Sequence, residues 1–456
     1  MKNKFFLLLM IMVALFCFFV MSTQNIPYYY RELMFLPLWS SIVFAMATMF
    51  IGNRTPNVAL LLIFSITTIR YCIHPMIMTL GDFFSVLKLN ITSNAEYGVY
   101  LMMYECVAIY LAVVIATRKY KVTMAELTHL EYTSKSGFTI WGLLAFLAIC
   151  IVIKPDLTNQ FMSIFQLDQA EFTQGGRVEL NQVGSFTRIL TTLFTFVFLT
   201  IRIVLPVYII GWLIKKRIRE GLIIVSILLF VFLEFMFITA TFAESIISAL
   251  IVILSIGKFE KHLLVKMLKI APIFVIGIIA LYFYIRHQAN SVAGVVTKYD
   301  GDSFWGNMSG LINAYFTGID NVAATFNLNR ANSFSHFWSS MQVTIPFNTT
   351  LFGKAGEILP AYFNLANFEI GQIPSTIGDG YYYFGALFAP FFSFSFSYLA
   401  IKFNALALNY NSYWKYIAFM LAAVLFSLGL GMYNEVITIQ YFWSWVISIL
   451  LVSKYL

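Results

Sequence analysis

The sequence predicts an all-α polytopic membrane protein with about twelve transmembrane helices, residues 1–456 forming a single integral domain. Three observations point there. Hydrophobic residues make up 60% of the chain and charged residues only 11%, against roughly 25% charged in soluble domains. Mean hydropathy is +0.81. Apolar runs approaching the roughly 20 residues that a bilayer crossing requires recur along the whole chain.

The first run, 4–21, follows Lys2 and Lys4. It is longer than a signal-peptide core of roughly 7–15 residues, so it is expected to stay as the first span. The next runs are 34–52, 57–77, 97–117, 137–154 and 189–214. The stretch 221–256 is too long for one helix. It is expected to reverse near Thr239 and Thr241, giving spans 221–238 and 242–256. A ninth run covers 269–286, and the last three, after a long polar interval, are 381–402, 414–431 and 437–452.

The net charge of +8 is explained by orientation, and no nucleic-acid partner is expected. Clusters such as Lys215, Lys216, Arg217 and Arg219, or Arg118, Lys119 and Lys121, fall on the same side of the bundle as the N-terminus. Basic residues concentrate in cytoplasmic loops, so both termini are expected in the cytoplasm. The segment 155–187 and the large loop 287–379 then face outward. Loops that long are usually functional. Within the large loop, Phe304, Met308, Leu311, Ile312 and Tyr315 share one face at helical spacing. They predict an amphipathic helix over Ser303–Phe316 that lies on the membrane surface or caps the bundle.

The four cysteines, Cys17, Cys72, Cys106 and Cys150, sit in or beside apolar runs and read as small core residues. The sequence YDGD at 299–302 is the nearest approach to a metal motif and reads as a solvated turn. No metal and no cofactor are expected.

Candidate site residues cluster at the outer loops. The large loop ends in IPSTIGDGYYYFG at 373–385. Pro374 and Ser375 suit a helix start. Gly378 and Gly380 bracket Asp379 and leave its carboxylate uncrowded. Tyr381, Tyr382 and Tyr383 follow where the chain is expected to re-enter the bilayer. An acid beside aromatic rings suits carbohydrate, although Asp before an apolar run is also a favoured helix cap, and boundary tyrosines also serve as interfacial anchors. Arg202 lies within a span, where ionisable residues are rare and either functional or paired. Glu234 and Glu244 are its obvious partners. Arg70 and His74 share a helix face near the outer end of the third span. Arg188 opens the sixth span, Arg286 and His287 close the ninth, and Arg177 lies in the first outer segment. Guanidinium groups suit phosphate, although one at an interface is often only an anchor.

These features together resemble the bacterial O-antigen polymerase family, the oligosaccharide repeat-unit polymerases. SFTRILTTLF at 185–194, leading to Pro206, looks like the Arg-led span of that family. PSTIGDGYYYFG at 374–385 looks like its outer-loop ending. At 242–245 the chain carries Phe-Ala-Glu-Ser where many members carry an Arg, so no catalytic Arg is transferred there. The resemblance implies a metal-independent membrane glycosyltransferase of the bacterial inner membrane. It would move a glycan from undecaprenyl pyrophosphate onto another lipid-linked repeat unit, with a chain-length regulator as a further partner. In that chemistry Asp379 or His287 takes the acceptor proton, with Asp320 a weaker candidate. Arg188, Arg286, Arg177 and Arg70 face the leaving pyrophosphate; Arg202, His74, Tyr381 and Tyr382 complete the expected substrate contacts. A lipid-linked oligosaccharide flippase or an O-antigen ligase are the alternatives. No internal repeat of the transporter kind is visible.

Overall fold

The computed structural model describes residues 2–51, 58–83, 94–120, 134–161, 185–236, 242–260, 303–347, 375–410 and 412–455, with isolated positions between 262 and 277 and at 351. Among the described residues the chain is helical, without strands. Six helices among the described residues are long and apolar enough to cross a membrane: Tyr28–Ile51, Val58–Leu80, Ala95–Lys119, Ile189–Lys215, Ala386–Asn409 and Glu435–Val452. Shorter apolar helices include Leu8–Ser22, Gly137–Ile153, Glu244–Ile256 and Tyr413–Leu428. The ninth expected span, 269–286, lies almost wholly outside the described residues, as does the turn joining the seventh and eighth. Those two are separate helices, Glu220–Met236 and Phe242–Phe259.

The chain divides into two units. The first comprises Met1–Met124, Lys298–Asn409 and Ala422–Phe442. It contains α1 (Lys2–Ser22), α2 (Leu36–Ile51), α3 (Val58–Leu80) and α4 (Ala95–Lys119). α3 carries a π-turn over Ile69–Ile73, a local widening often found at functional sites. The described parts of the large loop, 303–347 and 375–379, belong to this unit and are helical over most of their length. They supply α9 (Phe304–Tyr315), α10 (Ile319–Ala324), α11 (Ser333–Thr344) and the start of α12 (Thr376–Phe384). Every residue of α10 is buried. α13 (Phe391–Asn409) packs along α4.

The second unit comprises Ala125–Thr297, Tyr410–Leu421 and Trp443–Leu456. It contains α5 (Ser134–Ile153), α6 (Ser185–Lys215), α7 (Glu220–Met236) and α8 (Phe242–Phe259). Its core joins Leu147 and Cys150 on α5 to Leu190, Phe194, Phe198 and Ile201 on α6. Helices α14 (Tyr413–Leu428) and α15 (Glu435–Val452) each contribute residues to both units. All four cysteines are buried and free, as expected.

Local chemistry explains the helix starts. The Ser303 side chain accepts from Gly306 N at 2.9 Å, and α9 begins there, as its spacing predicts. Its small and polar residues pack against protein, and Met308 and Ile312 of the apolar stripe are half-buried. Gly306, Ser309, Gly310 and Asn313 are buried, whereas Phe304 is 68% exposed. In lipid, close helix packing favours small residues and polar contacts, since apolar side chains gain nothing by leaving the tails. The tenth span also starts later than expected. α12 ends at Gly385, whose φ of +81° suits glycine, and the crossing-length helix begins at Ala386. The three tyrosines therefore belong to a short separate helix.

Candidate functional site

In the first unit the apolar run 414–452 is interrupted. α14 stops at Leu428, a turn follows, and Asn434 caps α15 by accepting from Ile437 N at 3.0 Å. The turn frees successive carbonyls, and each is taken by a different segment. Thr376 Oγ1 donates to Gly429 O at 2.8 Å. Arg70 donates to Leu430 O at 2.9 Å. Thr317 N donates to Gly431 O at 3.1 Å. Buried backbone carbonyls need donors, and here these three are filled.

Arg70 is the central link. Its Nε donates to Thr317 O at 2.7 Å, and its Nη1 lies 2.8 Å from Glu105 Oε2 on α4. Arg70 is 1% exposed and Glu105 0%. Glu105 also accepts from Tyr71 at 2.9 Å and Ser393 at 2.6 Å. The charge of Arg70 is matched by a carboxylate and two of its nitrogens hold chain turns, so it fastens the frame, while its Nη2 is buried without a hydrogen-bond partner among the described residues. His74, one turn on, is buried against Gly318, where an added Cβ would stand 1.9 Å from its ring. Both its ring nitrogens lack a hydrogen-bond partner among the described residues. Gly318 N donates to Asn313 Oδ1 at 3.1 Å. Asp320 is buried on α10 and accepts from the Tyr30 hydroxyl at 3.3 Å.

Asp379 sits in the second position of this frame. The helix-cap alternative is corrected: Ser375 is the cap, accepting from Gly378 N at 3.1 Å, and Asp379 lies inside α12. Nor is its carboxylate uncrowded. Gly378 lets α12 close against Thr325, and Gly380 lets it close against Ala389 O, which an added Cβ would approach to 1.9 Å. Asp379 is 1% exposed and its neighbour Glu435, the first residue of α15, is 0% exposed. The two carboxyls lie within hydrogen-bonding reach of each other. Burial, and then the charge of Glu435, hold Asp379 well above the usual carboxylate range. An acid so placed holds its proton more tightly than an exposed carboxylate does.

The tyrosines do not form an open platform. Tyr382 is buried and its hydroxyl meets His336 Nδ1. Tyr383 is buried and meets Ser340 at 2.8 Å. Both pack with Phe392. Tyr381 is half-buried, with the Arg330 guanidinium 5.3 Å above its ring.

In the second unit Arg202 is held by Glu234 at 2.7 Å and Glu244 at 3.2 Å, and its guanidinium stacks over Trp445. This is the pairing with Glu234 and Glu244 that the sequence suggested, and Arg202 Nη2 is buried without a hydrogen-bond partner among the described residues. Arg188 lies on α6, without a described side chain. Arg177, Arg286 and His287 lie outside the described residues. Among the described residues no group of three His, Cys, Asp or Glu side chains could hold a metal ion.

Inspection of the sequence missed Glu105 and Glu435. Each is a carboxylate within or at the edge of an apolar run, a pattern that signals a buried partner. Comparison of the chain with protein-family models, curated proteins and solved structures finds no match in any of the three.

Proposed function

We propose that the protein is a polysaccharide polymerase of the bacterial inner membrane, with about twelve spans and both termini in the cytoplasm. It transfers a glycan from undecaprenyl pyrophosphate onto the next lipid-linked repeat unit at the outer face. The observation that carries this function is Asp379, a buried carboxyl with raised proton affinity on a short helix just before an apolar span. The acceptor hydroxyl attacks the anomeric carbon, its proton passes to Asp379, and the bond to pyrophosphate breaks with its electron pair on the leaving oxygen. A positioned carboxylate with raised proton affinity suits that task. Arg188, Arg286 and Arg177 are the candidates to offset the leaving charge, and His287 or Asp320 are the alternative bases. No metal or cofactor is invoked.

A transporter of the same lipid-linked glycan is the second reading. Buried ion groups within apolar helices favour it: Arg70 with Glu105, and Arg202 with Glu234 and Glu244. One experiment separates the two. Purified protein in vesicles receives lipid-linked repeat units, and the products are resolved by length. A ladder of longer glycans that Asp379→Asn abolishes supports the polymerase. Translocation without elongation overturns it. Elongation only onto a lipid A core acceptor would instead identify a ligase.

A further inference from the structure

We propose that Asp379 and Glu435 hold one proton between their carboxyl groups, making Glu435 the positioning residue for the proton-accepting group. The inference starts from geometry. The two residues stand in the first turns of separate helices, one capped by Ser375 and one by Asn434. Both are removed from solvent. All four carboxylate oxygens are buried without a formed hydrogen bond from the protein, and no ion pair reaches them among the described residues. Besides Asp379, the Tyr383 hydroxyl and Glu435's own backbone N–H approach Glu435 among the described residues.

The titratable groups on neighbouring elements are engaged elsewhere. His336 on α11 meets the Tyr382 hydroxyl. Asp320 on α10 accepts from Tyr30. Glu105 on α4 pairs with Arg70. On α13, Tyr398 meets Tyr120, and the Lys402 ammonium lies over the Phe403 ring. Arg330, before α11, donates to the Tyr382 carbonyl and covers Tyr381.

Two acceptor-only carboxylates in contact repel each other, and desolvation adds to that cost. A single proton turns the same contact into a charge-assisted hydrogen bond. The pair then carries one negative charge and releases its proton later than an isolated carboxyl would. The pair stands on the burial of both carboxyls, on their lack of a hydrogen-bond partner among the described residues and on their mutual approach. Its use in catalysis rests on the proposed polymerase, where it would accept the acceptor hydroxyl's proton.

Infrared titration of the purified full-length protein tests the pair without requiring activity. The wild type should show a protonated-carboxyl band at neutral pH that the Asp379→Asn, Glu435→Gln double variant lacks. Glu435→Gln alone should lower the Asp379 midpoint by about one pH unit or more, roughly tenfold in proton affinity. An unchanged midpoint, or equal bands in wild type and double variant, would overturn the pair. If Glu435→Gln does not fold, Asp379→Asn reads the pair from its other member: the protonated-carboxyl band at neutral pH should be lost, and a band of wild-type strength would overturn the pair. In the vesicle assay, Glu435→Gln should move the acid limb of the rate profile to lower pH and reduce the maximal rate. An unmoved limb overturns the catalytic use. Absence of polymerisation by the wild type would sink the polymerase while leaving the infrared result to decide the pair.

Discussion

Arg70 and Glu105 form an ion pair of 2.8 Å between α3 and α4, wholly buried. Removing one member leaves an uncompensated charge, which costs roughly 3–5 kcal/mol. Glu105→Ala should therefore lower the thermal stability of the purified protein by several degrees or prevent its accumulation. Arg70→Lys should fail to restore it. One ammonium cannot serve Glu105, Thr317 O and Leu430 O together as the planar fork does. A Lys variant as stable as wild type would remove Arg70 from its fastening role.

Arg202 gives a second test of structural against substrate-binding charge. Arg202→Leu should be severely destabilising because Glu234 is fully buried. Glu244→Gln should cost about 1 kcal/mol or less, since Glu244 retains some exposure. Replacing Arg202 and Glu234 together by leucine should recover much of the loss, as apolar substitution of a buried pair often does. A double variant that is stable but inactive would return Arg202 to the substrate.

Asp379 makes stability depend on pH. Its folded-state proton affinity is raised by burial and by Glu435, so the folded state holds the proton to higher pH than the unfolded chain. The contribution is fully present below the unfolded value, about pH 4, and is lost as pH rises through the folded value. Asp379→Asn removes that loss. Its unfolding temperature relative to wild type should climb between pH 5 and pH 8, with a difference on the order of 1 kcal/mol or more at the upper end. A pH-independent difference would contradict the strained carboxyl.

Two glycines should respond oppositely to alanine. Gly380→Ala places a methyl against the Ala389 carbonyl, which is backbone and cannot swing away. A cost of about 2–3 kcal/mol is expected. Gly142 on α5 has nothing within 4 Å of an added Cβ, so Gly142→Ala should be neutral or gain up to about 1 kcal/mol. Thermal unfolding of the two variants side by side checks the contrast.

Helix positions were legible because apolar runs carry their own length. The run 57–77 became α3 at Val58–Leu80, and the helix at Ser303–Phe316 became α9 at Phe304–Tyr315. The sense of α9 was not legible, since a hydrophobic stripe does not say whether it meets protein or lipid. The partners of the site were hidden for another reason. Arg70 meets the turn at Leu430, and Asp379 meets Glu435. No local period links residues that far apart. Glu105 and Glu435 carry a usable signal, a lone acid in or beside an apolar run, but nothing local names the partner each one meets. Tyr382 shows the opposite failure: an aromatic near a span boundary looks the same whether it anchors to lipid or, as here, fills the core.

The filled turn at Gly429–Gly431 imposes an order on assembly. The chain emerges from its N-terminus, so Arg70, Thr317 and Thr376 reach the membrane well before the carbonyls they serve. Until α14 and α15 arrive, those donors face a costly wait in an apolar medium. Arg70 can meet Glu105 early, because α3 and α4 are made in succession. Thr317 and Thr376 have no such early relief from the turn. The last two helices therefore act as a bolt that closes a structure assembled ahead of them, and a ribosome stalled before residue 429 would leave the first unit open.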